Sequence, residues 1–211
     1  LRAQQFRWAK GTVQTARKLL GRIVRADVST EQRIEACFHM LPHFAYPLMM
    51  LLTVLLLPAL LLLPAVDVRA MLMVDLPLCV GATGSLAAFY IAAERAQGRS
   101  AWGAVVRLPV LISLGAGLSP HLTKAVFEGL RHMAGEFVRT PKRGEAAGRY
   151  RMRAQVPVAE LGLGLLSVAS TVASVETGHW FATPFAMLFT IGYLYVGYRV
   201  IIEQVAQRRE V

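Results

Sequence analysis

The sequence is poor in charged residues and in cysteine. Only 17% of its 211 residues are charged and 55% are hydrophobic, whereas soluble globular domains carry about 25% charged residues. Its two cysteines, Cys37 and Cys79, are too few for a disulfide framework or for a metal site of their own. No signal-peptide pattern follows Leu1, and since the chain does not begin with Met we expect a longer protein with a preceding part. These shortages argue against a single soluble domain.

The residues that are present combine apolar character with positive charge. The mean hydropathy is +0.46, and 23 Lys and Arg against 13 Asp and Glu give a formal net charge of +10. This combination excludes a disordered tail and is typical of a membrane protein. We therefore predict an all-α integral membrane fold, with amphipathic interface helices and about four transmembrane helices.

Four apolar runs are long enough to cross a bilayer. At 1.5 Å per residue, about 20 residues span the hydrocarbon core. Charged residues in these runs lie near their ends, where they can reach the interface. The predicted spans are residues 44–66, 71–93, 156–175 and 180–202.

A fifth apolar stretch, residues 102–125, contains Arg107, Pro109 and Pro120. With four spans at the positions above, 22 of the 23 Lys and Arg residues fall on one side of the membrane and only Arg69 on the other. A fifth span would move the basic segment 121–153 across the membrane, against the cytoplasmic bias of Lys and Arg. We therefore predict that 102–125 is an interfacial or re-entrant element.

The first 43 residues contain no span. Residues 12–24 place Val13, Ala16, Leu20 and the Ile23–Val24 pair on one helical face and basic residues elsewhere, as in a helix lying on a membrane surface. The sequence Ser-Thr-Glu-Gln at 29–32 predicts a capping box that begins a second helix. We divide the chain into interface helices (1–43), a transmembrane hairpin (44–95), an interface element with a loop (102–153), a second hairpin (154–205) and a cytoplasmic tail (206–211).

Near the N-terminus, Gln4, Arg7 and Trp8 form the pattern Q-x-x-R-W. In a helix these three side chains share one face. Arginine binds phosphate oxygens through two parallel hydrogen bonds, glutamine bonds hydroxyls or phosphate, and tryptophan offers a flat apolar surface to a sugar ring. The same residues also suit a simpler role, with Trp8 as an interfacial anchor and Arg7 as a lipid-headgroup contact.

A second pattern lies in the basic segment before the third span, in the sequence FVRTPKRG at 137–144. Pro141 and Gly144 predict a loop, while Thr140 and Lys142 supply a hydroxyl and a positive charge. Such a loop suits closure over an anionic ligand. A basic flanking loop without any ligand explains the same composition.

Taken together and in this order, the two patterns and the spans resemble the membrane-embedded C-terminal half of processive family-2 glycosyltransferases, the cellulose synthase and cellulose-synthase-like group. Q-x-x-R-W is that family's signature at the end of the glycosyltransferase domain. Phe137, Thr140 and Lys142 match its gating loop, F-x-V-T-x-K, with Arg139 in place of the family's valine. QQFRW and FVRTPKRG are most similar to the glucomannan and xyloglucan-backbone branch.

The resemblance implies a role for each matched residue. Gln4 and Arg7 would contact the pyrophosphate of a nucleotide-diphospho sugar, either UDP-glucose or GDP-mannose, and Trp8 would stack on the growing β-glycan. Phe137, Thr140 and Lys142 would close over the nucleotide. The family's metal-binding D-x-D and catalytic T-E-D precede Q-x-x-R-W, and neither triplet occurs in this chain. The catalytic base and the Mg or Mn ion would therefore belong to a part of the enzyme outside this chain.

We accordingly expect a multi-pass protein of the cell (inner or plasma) membrane with cytoplasmic basic loops and C-terminus, in contact with the lipid bilayer and with no nucleic acid. Two alternatives stay open. One is a non-catalytic channel, transporter subunit or scaffold, and the other is a family-2 transferase that adds single sugars to a lipid. His39 and His43, at i and i+4, have no evident third metal ligand. Glu160 and Asp75 suit either a polar interior or the membrane interface.

Overall fold

The computed structural model describes residues 2–62, 68–132 and 157–209, with backbone alone at 68, 70–82 and 207–209. The described part is helical and contains no strand, which confirms the all-α prediction. Its elements are α1 (Arg2–Arg25), α2 (Thr30–Met40), a 3-10 turn (Pro42–Phe44), α3 (Ala45–Leu62), α4 (Val68–Ala96), α5 (Ala101–Arg131), α6 (Val158–Glu176) and α7 (Thr183–Arg209).

The chain divides into two compact units. Unit 1 comprises Leu1–Ala45, His121–Pro157 and Val200–Val211, and unit 2 comprises Tyr46–Pro120 and Val158–Arg199. Helices α5 and α7 each contribute residues to both units.

Four helices in the described part are long and apolar enough to cross a membrane: Pro42–Leu62, Ala101–Arg131, Val158–Glu176 and Thr183–Ala206. The first, third and fourth cover most of the predicted spans 44–66, 156–175 and 180–202. The second predicted span, 71–93, lies within α4, but most of its side chains fall outside the described part. The membrane-helical character of the chain is confirmed.

The stretch 102–125, for which the sequence predicts an interfacial or re-entrant element, is helical and is also long and apolar enough to cross a membrane. It forms the greater part of α5, a single helix of 31 residues with Pro109 and Pro120 inside it. Helices in apolar surroundings accommodate proline because neighbouring groups satisfy the freed backbone carbonyls. Ala116 and Ser119 of α5 are fully buried, so the middle of this helix is packed among its neighbours.

A tight turn joins α4 to α5. Gly98 adopts a positive φ of 70°, which glycine reaches without strain. The Gly98 N–H donates to the Arg95 carbonyl and the Arg99 N–H to the Glu94 carbonyl, the pattern of a Schellman motif. The Arg107 guanidinium lies 3.0 Å from the Glu94 carboxylate, so an ion pair also links the end of α4 to α5.

In unit 2, α5 and α7 approach each other closely through small residues. A Cβ on Gly192 would collide with the backbone of Ser113, and a Cβ on Gly117 would lie 2.7 Å from the Gly192 carbonyl carbon and 2.5 Å from Val196. On the other side of α7, a Cβ on Gly164 of α6 would lie 2.6 Å from Leu194. Small residues at such crossings let membrane helices pack backbone to backbone.

Hydroxyl groups connect the same helices. The Tyr193 hydroxyl on α7 lies 3.0 Å from Thr53 Oγ1 on α3 and 3.1 Å from Ser119 Oγ on α5. Because the Thr53 hydroxyl donates to the Met49 carbonyl, we assign Tyr193 as donor to Thr53 and acceptor from Ser119. Between α6 and α7, Ser174 and Thr183 lie 2.9 Å apart. Such bonds between membrane helices contribute about 0.6 kcal/mol each on average to the free energy of unfolding. Several of them together therefore stabilise the packing of these helices.

The close crossing predicts that Gly192→Val destabilises the bundle, because the added side chain collides with the α5 backbone. We expect a loss of about 3 kcal/mol, measured as a lower unfolding midpoint in detergent. Gly162→Val is the matched control, since nothing lies within 4 Å of a Cβ at Gly162 on α6. Equal midpoints for the two variants would contradict the α5–α7 packing.

Candidate functional site

The Q-x-x-R-W residues lie near the start of α1. Helical structure from Arg2 onward places Gln4, Arg7 and Trp8 on one side of the helix, as the spacing predicts. Gln4 is exposed and Trp8 is 56% exposed, while Arg7 is half-buried. The indole and the amide are therefore accessible to a ligand.

The same face continues as a polar stripe along α1. The exposed residues Gln4, Trp8, Thr15, Lys18, Arg22 and Arg25 follow one another at helical spacing. Four of the residues on this side, counting Arg7, are cationic at neutral pH. We call this set, with Arg7, the α1 stripe. Its chemistry suits an anion, such as a phosphate group, beside an aromatic stacking surface.

The opposite face of α1 is buried, and at Val13 it lies against Gly129 in the last turns of α5. Ala9 and Val13 are fully buried and Ala16 nearly so. This confirms part of the predicted amphipathic face. Contact with α5 covers its first residue, Val13, whereas Val24 at its end is exposed. The sequence predicts that this whole face lies on a membrane surface. At Val13 the face contacts protein, the end of α5, instead.

Polar contacts fix α1 on α5. The Lys10 ammonium lies 3.0 Å from the Glu128 carboxylate. Gln14 donates to the His132 carbonyl and the Arg17 guanidinium to the Leu130 carbonyl, each at 2.7 Å. The last carbonyls of a helix have no partner within it, so two side chains of α1 satisfy the end of α5.

Close packing accompanies these bonds. The rings of Phe6 and His121 lie 4.9 Å apart, and a Cβ on Gly129 would lie 2.9 Å from the Lys10 carbonyl oxygen and 3.0 Å from Val13. The absence of a side chain at Gly129 therefore allows α1 to approach. We call these contacts the α1–α5 clamp: Phe6, Lys10, Val13, Gln14 and Arg17 with His121, Glu128, Gly129, Leu130 and His132.

Sequence reasoning did not identify this clamp. The available signal was the small-residue spacing Ala9, Val13, Ala16, which is compatible with a helix contact as well as with a membrane surface. Its partner residues lie more than 110 positions away in the chain. The predicted capping box is confirmed, since Ser29 and Gln32 exchange hydrogen bonds at the start of α2.

The other residues singled out in the sequence have the following places. Phe137, Thr140 and Lys142, the predicted gating loop, lie outside the described residues. His39 lies in α2 and His43 in the following 3-10 turn, and the described residues contain no group of three potential metal ligands. Glu160 is buried in the first turn of α6, where the helix dipole favours a carboxylate.

Comparison with known proteins adds no family assignment. No family model matches the chain, and neither a curated protein nor a solved structure matches it. The residues and geometry above are therefore the basis for any functional interpretation.

The clamp predicts opposite effects for two glycine substitutions. Alanine favours a helix over glycine by about 1 kcal/mol, so Gly21→Ala, which meets nothing within 4 Å, should protect α1 from trypsin. Gly129→Ala should instead speed cleavage at Arg17 and Lys18, because its Cβ pushes against Lys10 and Val13. Digestion of both variants at the same rate would contradict the clamp.

Proposed function

We propose that this chain is the membrane-translocation and substrate-gripping portion of an inverting β-glycan synthase. The observation that carries the proposal is the Q-x-x-R-W motif, with Gln4 and Trp8 exposed, on a helix that is clamped to the end of α5. Helix α5 is long enough to cross a membrane. A substrate-binding helix attached in this way suits an enzyme that extends a polymer and passes it through its own membrane domain.

In this proposal the α1 residues grip donor and acceptor. Arg7 and Gln4 bind the diphosphate of UDP-glucose or GDP-mannose, and Arg7 stabilises the charge that develops as the nucleotide leaves. Trp8 stacks on the terminal sugar of the glycan and holds its hydroxyl in line for attack. A Mg or Mn ion, if bound by a part of the enzyme outside this chain, would further neutralise the diphosphate. A carboxylate, likewise outside it, accepts the proton of the acceptor hydroxyl.

The interior of unit 2 supports the translocation part of the proposal. Its buried polar residues include hydroxyls from three helices: Thr53 of α3, Ser113 and Ser119 of α5, and Ser167, Ser170 and Ser174 of α6. The Ser167 hydroxyl has no hydrogen-bond partner. Thr53, Ser119, Ser170 and Ser174 form hydrogen bonds within the protein, whereas the Ser167 hydroxyl is left to meet a polar edge of a sugar chain.

The order of the helices along the chain supports a location of the α1 stripe on the cytoplasmic side of the cell membrane. If α3, α5, α6 and α7 cross and α4 does not, then the N-terminus, the 132–157 segment and the C-terminus share one side. All but four of the 23 Lys and Arg residues lie in or next to these segments, the exceptions being Arg69, Arg95, Arg99 and Arg107. Lys and Arg favour the cytoplasmic side, where nucleotide sugars occur.

A second candidate is a non-catalytic membrane protein whose basic face binds anionic lipid. The continuation of the α1 stripe to Lys18, Arg22 and Arg25, beyond the motif, favours it. The coding region upstream of Leu1 separates the two: D-x-D and T-E-D triplets in frame support the synthase, and a start codon at that point supports the second candidate. Product length then distinguishes a processive synthase from a transferase that adds single sugars.

The proposal predicts that Trp8→Ala in the full-length enzyme abolishes elongation, because the acceptor loses its stacking surface. The measurement is incorporation of radiolabelled sugar into polymer by isolated membranes. Trp102→Ala is the matched control, since Trp102 is also exposed but lies at the start of α5. Near-normal polymer from the Trp8 variant, at equal membrane insertion, would rule the assignment out.

The gating-loop assignment predicts that Lys142→Ala lowers turnover by weakening closure over the anionic nucleotide. Removal of one charge-assisted contact of about 1.5–3 kcal/mol corresponds to roughly a 10- to 100-fold loss. Lys142→Arg should keep much of the activity because it keeps the charge. Unchanged kinetics in the alanine variant would exclude a gating role for Lys142.

A further inference from the structure

The contacts of the α1–α5 clamp lie on one face of α1 and extend over much of its length. The α1 side chains that make the ring, ionic and hydrogen-bond contacts follow at i, i+4, i+8 and i+11: Phe6, Lys10, Gln14 and Arg17. At 1.5 Å per residue, they cover about 16 Å of the helix. A helix that is held along one face over that length is fixed in its direction and in its rotation about its own axis.

Trp8 lies on the side of α1 that is turned away from the clamp. At 3.6 residues per turn, two residues correspond to about 200° around the axis, so Trp8 and Lys10 point in nearly opposite directions. The Trp8 indole is 56% exposed, whereas the Lys10 ammonium lies 3.0 Å from the Glu128 carboxylate. The rotation of α1 on α5 therefore sets the direction of the indole.

A small rotation of α1 moves the indole further than a binding site tolerates. The side chains of a helix extend about 5–6 Å from its axis, and at that radius a rotation of about 20° displaces a side chain by about 2 Å. The groups of a functional site have to be held to within about 0.5 Å of the productive geometry. The angle at which α1 is fixed is therefore a functional quantity.

The Lys10–Glu128 ion pair is better suited to fixing this angle than to stabilising the fold. Its two side chains are 24% and 33% exposed, and exposed ion pairs contribute little to the free energy of unfolding. Val13, which is fully buried, packs at Gly129 and supplies apolar attachment. Apolar attraction has no direction, whereas hydrogen bonds do. The polar contacts of the clamp therefore determine how α1 is rotated on α5.

We infer that the polar contacts of the α1–α5 clamp position Trp8 and thereby set the length of the polymer. The positioning residues are Lys10, Gln14 and Arg17 of α1 and Glu128 of α5. The inference rests on the proposed function, in which Trp8 stacks on the terminal sugar while its hydroxyl attacks the donor sugar and the nucleotide diphosphate leaves. The mean chain length is the ratio of the rate of sugar addition to the rate of chain release. A misplaced Trp8 slows the in-line attack and loosens the hold on the sugar, and both effects shorten the chains.

The test compares the length of radiolabelled polymer made by variants of the full-length enzyme in isolated membranes, with UDP-glucose or GDP-mannose in excess. Glu128→Gln removes one charge of the ion pair at nearly the same volume, and we expect chains about 10-fold shorter. Exchange of the two charges, Lys10→Glu with Glu128→Lys, should restore the length. Length is the informative readout, because a loss of folded enzyme lowers the yield and leaves the length of each chain unchanged.

Glu94→Gln is the matched control. The Glu94 carboxylate also lies 3.0 Å from a cation, the Arg107 guanidinium, but at the turn between α4 and α5, and we expect polymer of wild-type length. Wild-type length in Glu128→Gln, or equal shortening in the Glu94 and Glu128 variants, would overturn the inference and leave the proposed function intact. A wild-type enzyme that makes no polymer from either donor would contradict the proposed function, and the inference with it.

Discussion

The close approach of α5 to α7 is the constraint on which the membrane part of this chain depends. At Gly117 and Gly192 the two backbones leave no room for a Cβ, and at that distance the Tyr193 hydroxyl reaches both Thr53 and Ser119. Since lipid tails are as apolar as the helices, a hydrophobic driving force does not bring the helices together, and close packing and hydrogen bonds do so instead. The glycines and hydroxyls are therefore what makes α3, α5 and α7 a bundle.

Helix α5 takes part in both units of the chain. Its residues up to Pro120 belong to unit 2, and those from His121 belong to unit 1, where α1 is clamped to them. The α1–α5 clamp covers one side of α1, and Gln4 and Trp8 are exposed on the other side. The exposure of Gln4 and Trp8 thus accompanies the packing of Val13 on the end of a long apolar helix.

The sequence predicts the helical class, three of the spans and the capping box at Ser29, because each depends on local periodicity or on neighbouring residues. It does not decide whether 71–93 or 102–125 crosses the membrane. The prediction that 102–125 is interfacial assumes that 71–93 crosses, and if 102–125 crosses instead, the basic segments still share one side. The clamp was also missed, since Lys10 and Glu128 are 118 positions apart and apolar spacing alone does not distinguish a protein surface from a lipid surface.

The sequence resemblance, the exposure of the α1 stripe and the attachment of α1 to α5 together support the proposed function. Its central claim is sugar transfer from a nucleotide donor to a growing β-glycan. The most direct measurement supplies radiolabelled UDP-glucose or GDP-mannose to membranes that contain the full-length protein and determines the size of the labelled product. The proposal predicts label in a long polymer with one of the two donors. Correctly inserted protein that incorporates neither sugar would contradict it.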